Sequence, residues 1–185
     1  MMIKGKVAVF CGSMYGPDKS HTKLAQDITT YLVKNNYGIV YGGGQSGIMG
    51  VVANTALALG GHVTGIIPDF LDSREKIHQK LNKIIITKTM EDRKKKFLSL
   101  SDIFIALPGG GGTIEEISLV VSANQLNIIK NKRMIIFNYK KYWDPLIKQY
   151  LKLPSVKYAR NDVLKFISVC KNIEELSKIL SKIKL

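Results

Sequence analysis

Short apolar runs without internal polar alternation recur along the chain, separated by longer segments of mixed polarity. The runs are Val7–Cys11, Ile39–Tyr41, Val63–Ile67, Ile84–Thr87, Ile103–Leu107 and Met134–Asn138, with a weaker one at Leu164–Ser168. A strand wet on one face alternates apolar and polar residues. Continuous apolar runs therefore predict strands buried on both faces. The intervening segments predict helices at about Ser20–Asn35, Gly47–Leu59, Met90–Leu100, Thr113–Ile129, Trp143–Lys152 and Ile173–Ile183. Buried strands alternating with helices predict an α/β fold, a doubly wound Rossmann-like parallel sheet with helices on both faces. No repeat or linker divides residues 1–185, so one nucleotide-binding Rossmann-like domain is expected. The loosest stretch, Leu153–Asp162 with Pro154, reads as a surface loop.

The 185 residues suffice for a substantial core. No apolar run approaches the ~20 residues of a membrane span, and Val7–Cys11 is too short for the apolar centre of a signal peptide. Cys11 and Cys170 form neither a disulfide framework nor a metal spacing, and His21, His62 and His78 are scattered. Reduced thiols in a cytoplasmic protein without metal or cofactor are expected. The net charge of +14 comes from lysines spread over the whole sequence, without a nucleic-acid-binding module. Such a surface raises the local concentration of anionic substrates. Neither a nucleic-acid nor a membrane partner is expected.

Three predicted strands end in glycine: at Gly12-Ser13, at Gly42–Gly47 and at Gly109–Gly112. In a parallel α/β sheet, ligands bind beyond these carboxyl ends. Gly42, Gly44 and Gly47 fit the dinucleotide pattern G-x-G-x-x-G. Yet the next strand runs into Pro68 without the acidic residue that a ribose requires, which argues against NAD. The run Pro108–Glu116 lacks the G-K-[ST] ending of an ATP-binding loop. Placed between a buried strand and a helix start, it offers backbone N–H groups and the positive end of a helix dipole to a phosphate. Glu115 and Glu116, expected on the first helical turn, would repel a lone phosphate. They suit a ligand with a phosphate at one end and developing positive charge at the other, as in nucleotide-like sugar phosphates. Thr113 and Glu116 also have the spacing of a capping box, a purely structural explanation for both. Arg93, in the first turn of a helix capped by Thr89 with Phe97 and Leu100 turned inward, can reach the same crevice. The rest of Arg93–Lys96 is expected to face solvent. Cys11 has no assignable partner base and is expected to be a packed thiol.

Taken in order, Phe10-Cys11-Gly12-Ser13, Tyr41-Gly42-Gly43-Gly44, Gly47-Ile48-Met49-Gly50, His62-Val63, Gly65-Ile66-Ile67-Pro68, Met90 with Arg93-Lys94, and Pro108–Glu116 as P-G-G-x-G-T-x-x-E resemble the Lonely Guy family. These are the cytokinin riboside 5′-monophosphate phosphoribohydrolases, also labelled lysine decarboxylase-like. The resemblance runs from Val7 to about Tyr142. It implies hydrolysis of the N-glycosidic bond of an adenine-type nucleoside 5′-monophosphate, a cytokinin nucleotide or AMP, with Arg93 and Glu116 catalytic. The substrate contacts it implies are Gly12, Ser13, Gly43, Gly44, Glu75, Lys94, Gly109, Gly110, Gly111, Gly112, Thr113, Ile114, Glu115 and Ser122. It also implies a homodimer with the crevice near the subunit boundary. The helix after Glu116 points the same way, since Ile117, Leu119, Val120, Val121, Leu126, Ile128 and Ile129 leave it little polar surface. Gly111 and Ala123 stand where the family often has bulkier residues, which implies a larger or looser site. A non-catalytic alternative is a nucleotide-binding or molybdenum-cofactor carrier protein of the same fold. Arg93 together with Glu116 favours catalysis, because binding a phosphate does not require the carboxylate. Decarboxylation rests on the label alone, as no Schiff-base lysine stands out.

Overall fold

The computed structural model describes residues 3–71 and 76–184. The strands are β1 (Gly5–Phe10), β2 (Tyr37–Tyr41), β3 (Val63–Pro68), β4 (Lys83–Thr87), β5 (Ile103–Ala106), β6 (Arg133–Phe137) and β7 (Ile167–Cys170). They form a seven-stranded sheet in the order β4-β3-β2-β1-β5-β6-β7. Every pairing is parallel, and Val7 faces Ile39 on one side and Ile103 on the other. The helices are α1 (Ser20–Lys34), α2 (Gly47–Ala58), α3 (Met90–Leu100), α4 (Gly111–Gln125), α5 (Asp144–Ser155) and α6 (Ile173–Leu180).

The strand period of two divides the apolar residues between two cores. Val7 and Val9 of β1 join Ile39, Ile103 and Ile105 in packing against Leu24, Ile28 and Leu32 of α1, Val52 of α2 and Leu176 of α6. Ala8 and Phe10 join Phe104 and Met134 against Phe97 of α3 and Ile117, Val120 and Val121 of α4. Phe10 lies edge-on to Phe97, with ring centroids 5.3 Å apart, and stacks on Phe104 at 5.9 Å. Burial on both faces explains why these strands show no polar alternation. The fold is the expected α/β, Rossmann-like one.

Three elements depart from the sequence pattern. β7 lies three residues beyond the start of the predicted Leu164–Ser168 run, because Asn161–Phe166 forms 3₁₀ turns. α5 continues through Pro154 to Ser155, so the expected loop begins later. A proline one residue before a helix end forfeits little, since the helix is already terminating. α4 starts at Gly111, two residues before Thr113, and stops at Gln125, after which Asn127 takes a left-handed conformation (φ 55°).

The strand order reverses at β1, whose neighbours are β2 and β5. Chain connections diverge to opposite sides at such a switch point, opening a crevice between the loops that follow the two strands. Those loops are Gly12-Ser13 and Pro108–Gly112.

Candidate functional site

Gly12 is the hub of the crevice. Its N–H donates to the Pro108 carbonyl at 3.2 Å, and its own carbonyl accepts from Met49 N–H of α2 at 3.2 Å. A β-carbon on Gly12 would stand 3.0 Å from the Met14 carbonyl oxygen. One on Gly109 would overlap the Thr113 hydroxyl and sit 2.9 Å from Gly12 N. The absence of side chains thus lets the β1 loop, the β5 loop and the start of α2 close on one another.

The loop after β2 is buried from Gly42 to Gly44. Residues 76–78 lie across it: Gln45 N–H donates to the Lys76 carbonyl, His78 N–H donates to the Gly43 carbonyl, and Gly44 bridges Ile77. The His78 ring, within hydrogen-bond distance of Asn54 Oδ1 (3.1 Å), is buried, and desolvation lowers its pKa.

Arg93 stands in the first turn of α3, where the Thr89 hydroxyl accepts from Asp92 N–H as the cap. Its side chain is buried. Nε donates to the Ile66 carbonyl at 3.0 Å and Nη2 to the Gly42 carbonyl at 3.1 Å. The guanidinium carbon lies 5.5 Å from the Phe97 ring centroid. Arg93 therefore joins the carboxyl ends of β2 and β3. Two donors are used in this way, and a guanidinium carries five. Phe97 is buried as expected, with Leu98, whereas Leu100 is partly exposed.

α4 begins in the open. Gly110 is its N-cap and makes no side-chain cap bond, and β-carbons on Gly110, Gly111 or Gly112 would meet nothing within 4 Å. The first N–H groups of a helix have no partner within it, so this end is suited to an anion. The early start corrects two expectations. Thr113 is the third helical residue and buried, so it does not form a capping box with Glu116. Glu115 and Glu116, the fifth and sixth helical residues, fall on the second turn, set back from the N–H groups. Glu115 pairs with Lys94 of α3. Lys94 is thus half-buried and bridges two helices, unlike Lys95 and Lys96, which are exposed. Arg93 and Glu116 each adjoin a member of that pair. Glu116 is half-buried and acts electrostatically on Cys11. The Cys11 thiol is pushed well above its ordinary range, first by burial and then by that carboxylate, and is protonated and packed.

The wall beyond the glycine loop is one the sequence did not mark. Tyr142 donates its hydroxyl to the Gly109 carbonyl at 2.6 Å. With His21, Met14, Tyr15 and Pro17 it lines a 240 Å³ cavity reaching Gly12, Gly109 and Gly110. A second cavity of 320 Å³, lined by Ser13, Gly44, Gln45 and Lys76 among others, lies toward the β2 loop. Gly12, Ser13, Gly109 and Gly110 thus share the first cavity, and Ser13 and Gly44 the second. Gly43 is packed beneath, and Ile114 is exposed on the outer side of α4. Ser122, eleven residues after Gly111 in α4, lies about 16 Å further along the helix axis. It lines a separate groove with Leu126, Tyr158 and Arg160, so one chain does not bring it to the crevice. Ala123 is buried in the α3–α4 core and does not widen the site. Glu75 lies outside the described residues. Among the described residues, no cluster of His, Cys, Asp or Glu could hold a metal ion, and no helix is long and apolar enough to cross a membrane.

Comparison with known proteins identifies the lineage. Residues 49–180 match the family described as possible lysine decarboxylases. The chain is 36% identical over 170 residues to a cytokinin riboside 5′-monophosphate phosphoribohydrolase of Rhodococcoides fascians, covering 91% of this chain and 85% of that protein. It is 39% identical over 142 residues to one of Arabidopsis thaliana, covering 77% of this chain and 62% of the plant protein. In structure it resembles the molybdenum cofactor binding protein of Rippkaea orientalis, with a TM-score of 0.71 over 98% of each chain at 20% identity. That likeness concerns the fold alone.

Proposed function

From the premise that the chain belongs to the Lonely Guy family, we propose that it is a phosphoribohydrolase, an N-glycosyl hydrolase acting on adenine-type nucleoside 5′-monophosphates. Cytokinin riboside 5′-monophosphate is the substrate in its relatives' names, and AMP is the simplest member of the same chemical class. The observation that carries the reading is the pairing of an open, uncapped helix start with a carboxylate one turn behind it. The N–H groups of the Gly109–Thr113 segment take the 5′-phosphate. Ribose C1′ then lies near Glu116. As the C1′–N bond breaks, the ring gains oxocarbenium character, which an adjacent carboxylate stabilises. Glu116 also takes a proton from the attacking water, whose oxygen bonds to C1′. The electron pair of the broken bond leaves on the base nitrogen, which takes up a proton from solvent while Glu116 returns its own to solvent, so that one water is consumed overall. The products are free base and ribose 5-phosphate. Arg93 holds the floor of the site and presents its remaining N–H groups to substrate.

A homodimer in the cytoplasm completes the proposal. Ile114 (41% exposed), Leu126 (70%), Ile128 (66%) and Tyr158 (86%) leave an apolar surface along α4 and beyond its end, of the kind a symmetric partner covers. Sedimentation should show a species of twice 20.6 kDa; a clean monomer at micromolar concentration would refute the dimer.

The enzymatic reading is tested by incubating the protein with AMP or a prenylated adenosine 5′-monophosphate and following release of base. The nucleoside without its phosphate should be cleaved at least about tenfold less efficiently, because it leaves the loop N–H groups unpaired. Equal rates on both would remove the phosphate role from the loop, and no base from any monophosphate would remove the activity.

A further inference from the structure

We propose that Tyr142 is a positioning residue for phosphate recognition, holding the peptide between Gly109 and Gly110 in a single orientation. The inference rests on reading the Gly109–Thr113 segment as the 5′-phosphate site. In a trans peptide the carbonyl and the following N–H point in opposite directions. The Tyr142 hydroxyl, 2.6 Å from the Gly109 carbonyl oxygen, therefore also fixes where the Gly110 N–H points. Such a restraint is needed at this peptide. Gly110 is the N-cap of α4 without a side-chain cap bond, and β-carbons on it or its two successors would meet nothing within 4 Å. A rotated Gly109–Gly110 peptide would present a carbonyl oxygen where an N–H is required, opposing the anion.

The geometry of Tyr142 is itself tightly determined. It follows a 3₁₀ turn at Tyr139–Lys141 in which Lys140 (φ 50°) and Lys141 (φ 63°) both adopt left-handed backbone conformations. Non-glycine residues disfavour such conformations, which persist where the surroundings over-determine them. Three ties do so here. Lys140 Nζ donates to Asp18 Oδ2 at 2.9 Å and to Ser20 Oγ at 3.0 Å, reaching the start of α1. Asn138 Oδ1 accepts from Trp143 N–H at 2.9 Å, closing the turn on itself. The Tyr142 ring is held edge-on between Trp143 (4.8 Å) and His21 (5.7 Å). The turn thus ties the start of α1, through Lys140, to the glycine loop after β5, through Tyr142. It acts as a cross-brace between them.

The test is Tyr142→Phe, which keeps the ring between its neighbours and removes the hydroxyl. Loss of one hydrogen bond should raise KM for the monophosphate about three- to tenfold while kcat stays within about twofold. The dissociation constant of ribose 5-phosphate, measured by calorimetry, should rise by the same factor, and cleavage of the nucleoside should not change. Asp18→Asn, which weakens the brace at its other end, should shift KM in the same direction by less. A wild-type protein that binds ribose 5-phosphate and a Tyr142→Phe variant that binds it equally well would overturn the inference and leave the phosphate site standing. A variant that loses kcat, or loses nucleoside cleavage equally, would show a general structural role and also overturn it. A wild-type protein that neither binds ribose 5-phosphate nor cleaves a monophosphate would remove the site and the inference together.

Discussion

The loop after β2 and the loop after β5 are both built on glycine and use it in opposite ways. In the first, glycine makes room for other parts of the protein. A β-carbon on Gly42 would stand 2.6 Å from Arg93 Nη2, one on Gly43 would stand 3.1 Å from Ile67 Cβ, and one on Gly47 would overlap the Ser13 carbonyl. The carbonyls of Gly42, Gly43 and Gly44 all accept hydrogen bonds, from Arg93, His78 and Tyr41. In the second loop, only Gly109 is crowded, and Gly110, Gly111 and Gly112 face open space at the uncapped start of α4. One loop is a packing joint, and the other leaves backbone N–H groups accessible. A glycine-rich strand end is therefore not a ligand site by composition. What distinguishes a site is polar backbone that the protein itself does not satisfy.

Substitution at the packing joint should have the largest effect. Gly47 is left-handed (φ 61°), and alanine there adds the overlap with Ser13 to the backbone strain. Gly47→Ala should destabilise the fold by about 2–5 kcal/mol, read as a lower midpoint in urea. Wild-type stability would show that the close approach of α2 to the β1 loop is not needed.

The two proposed catalytic residues stand behind different loops, Arg93 of α3 bonded to the loop after β2 and Glu116 of α4 one turn behind the loop after β5, which gives the comparison a sharper test. Glu116→Gln, behind the open loop, should lower kcat by on the order of a hundredfold. Arg93→Ala should lower kcat similarly and also cost about 2–4 kcal/mol of stability, because two buried carbonyls lose their donor. Matched turnover and unfolding measurements decide this. Near-normal turnover in folded Glu116→Gln would remove the carboxylate from the chemistry. An Arg93→Ala protein as stable as wild type would contradict the joint described between β2 and β3.

The smallest effect is expected at the open loop itself. Gly111→Ala meets no neighbour and keeps its N–H, so it should leave activity close to wild type and raise stability by about 0.5–1 kcal/mol. A marked loss of activity would mean that substrate, or a partner chain, fills the space beside it.

This contrast also explains which features the sequence disclosed. Strands buried on both faces announce themselves as apolar runs, and β1, β2, β3, β5 and β6 follow theirs to within a few residues. The run at Leu164 misled because Val163 and Leu164 are apolar for the sake of a 3₁₀ turn packed on the α3–α4 core. α4 starts before its sequence pattern does because Gly111 and Gly112 have poor helix propensity, which matters little in a first turn that makes few internal bonds. Arg93 and the glycine loop were legible as motifs, and the missing acidic residue after β3 already argued against a dinucleotide at Gly42–Gly47, but which glycines are crowded and which are open depends on tertiary contacts. Tyr142 left no trace, since its partner is a backbone carbonyl 33 residues away. Bonds to backbone write nothing into the partner's identity.

The two cysteines have a practical consequence. Cys11 and Cys170 both belong to the core between the sheet and the α1–α2–α6 layer. Burial suppresses the thiolate at each, and the Cys170 pKa is pushed up to about 12. Only the thiolate is alkylated at an appreciable rate. In native protein both side chains should therefore ignore thiol reagents, and each labelling event should report an opening of that layer. Timed alkylation followed by mass spectrometry would then record how often this half of the molecule breathes, with no engineered probe.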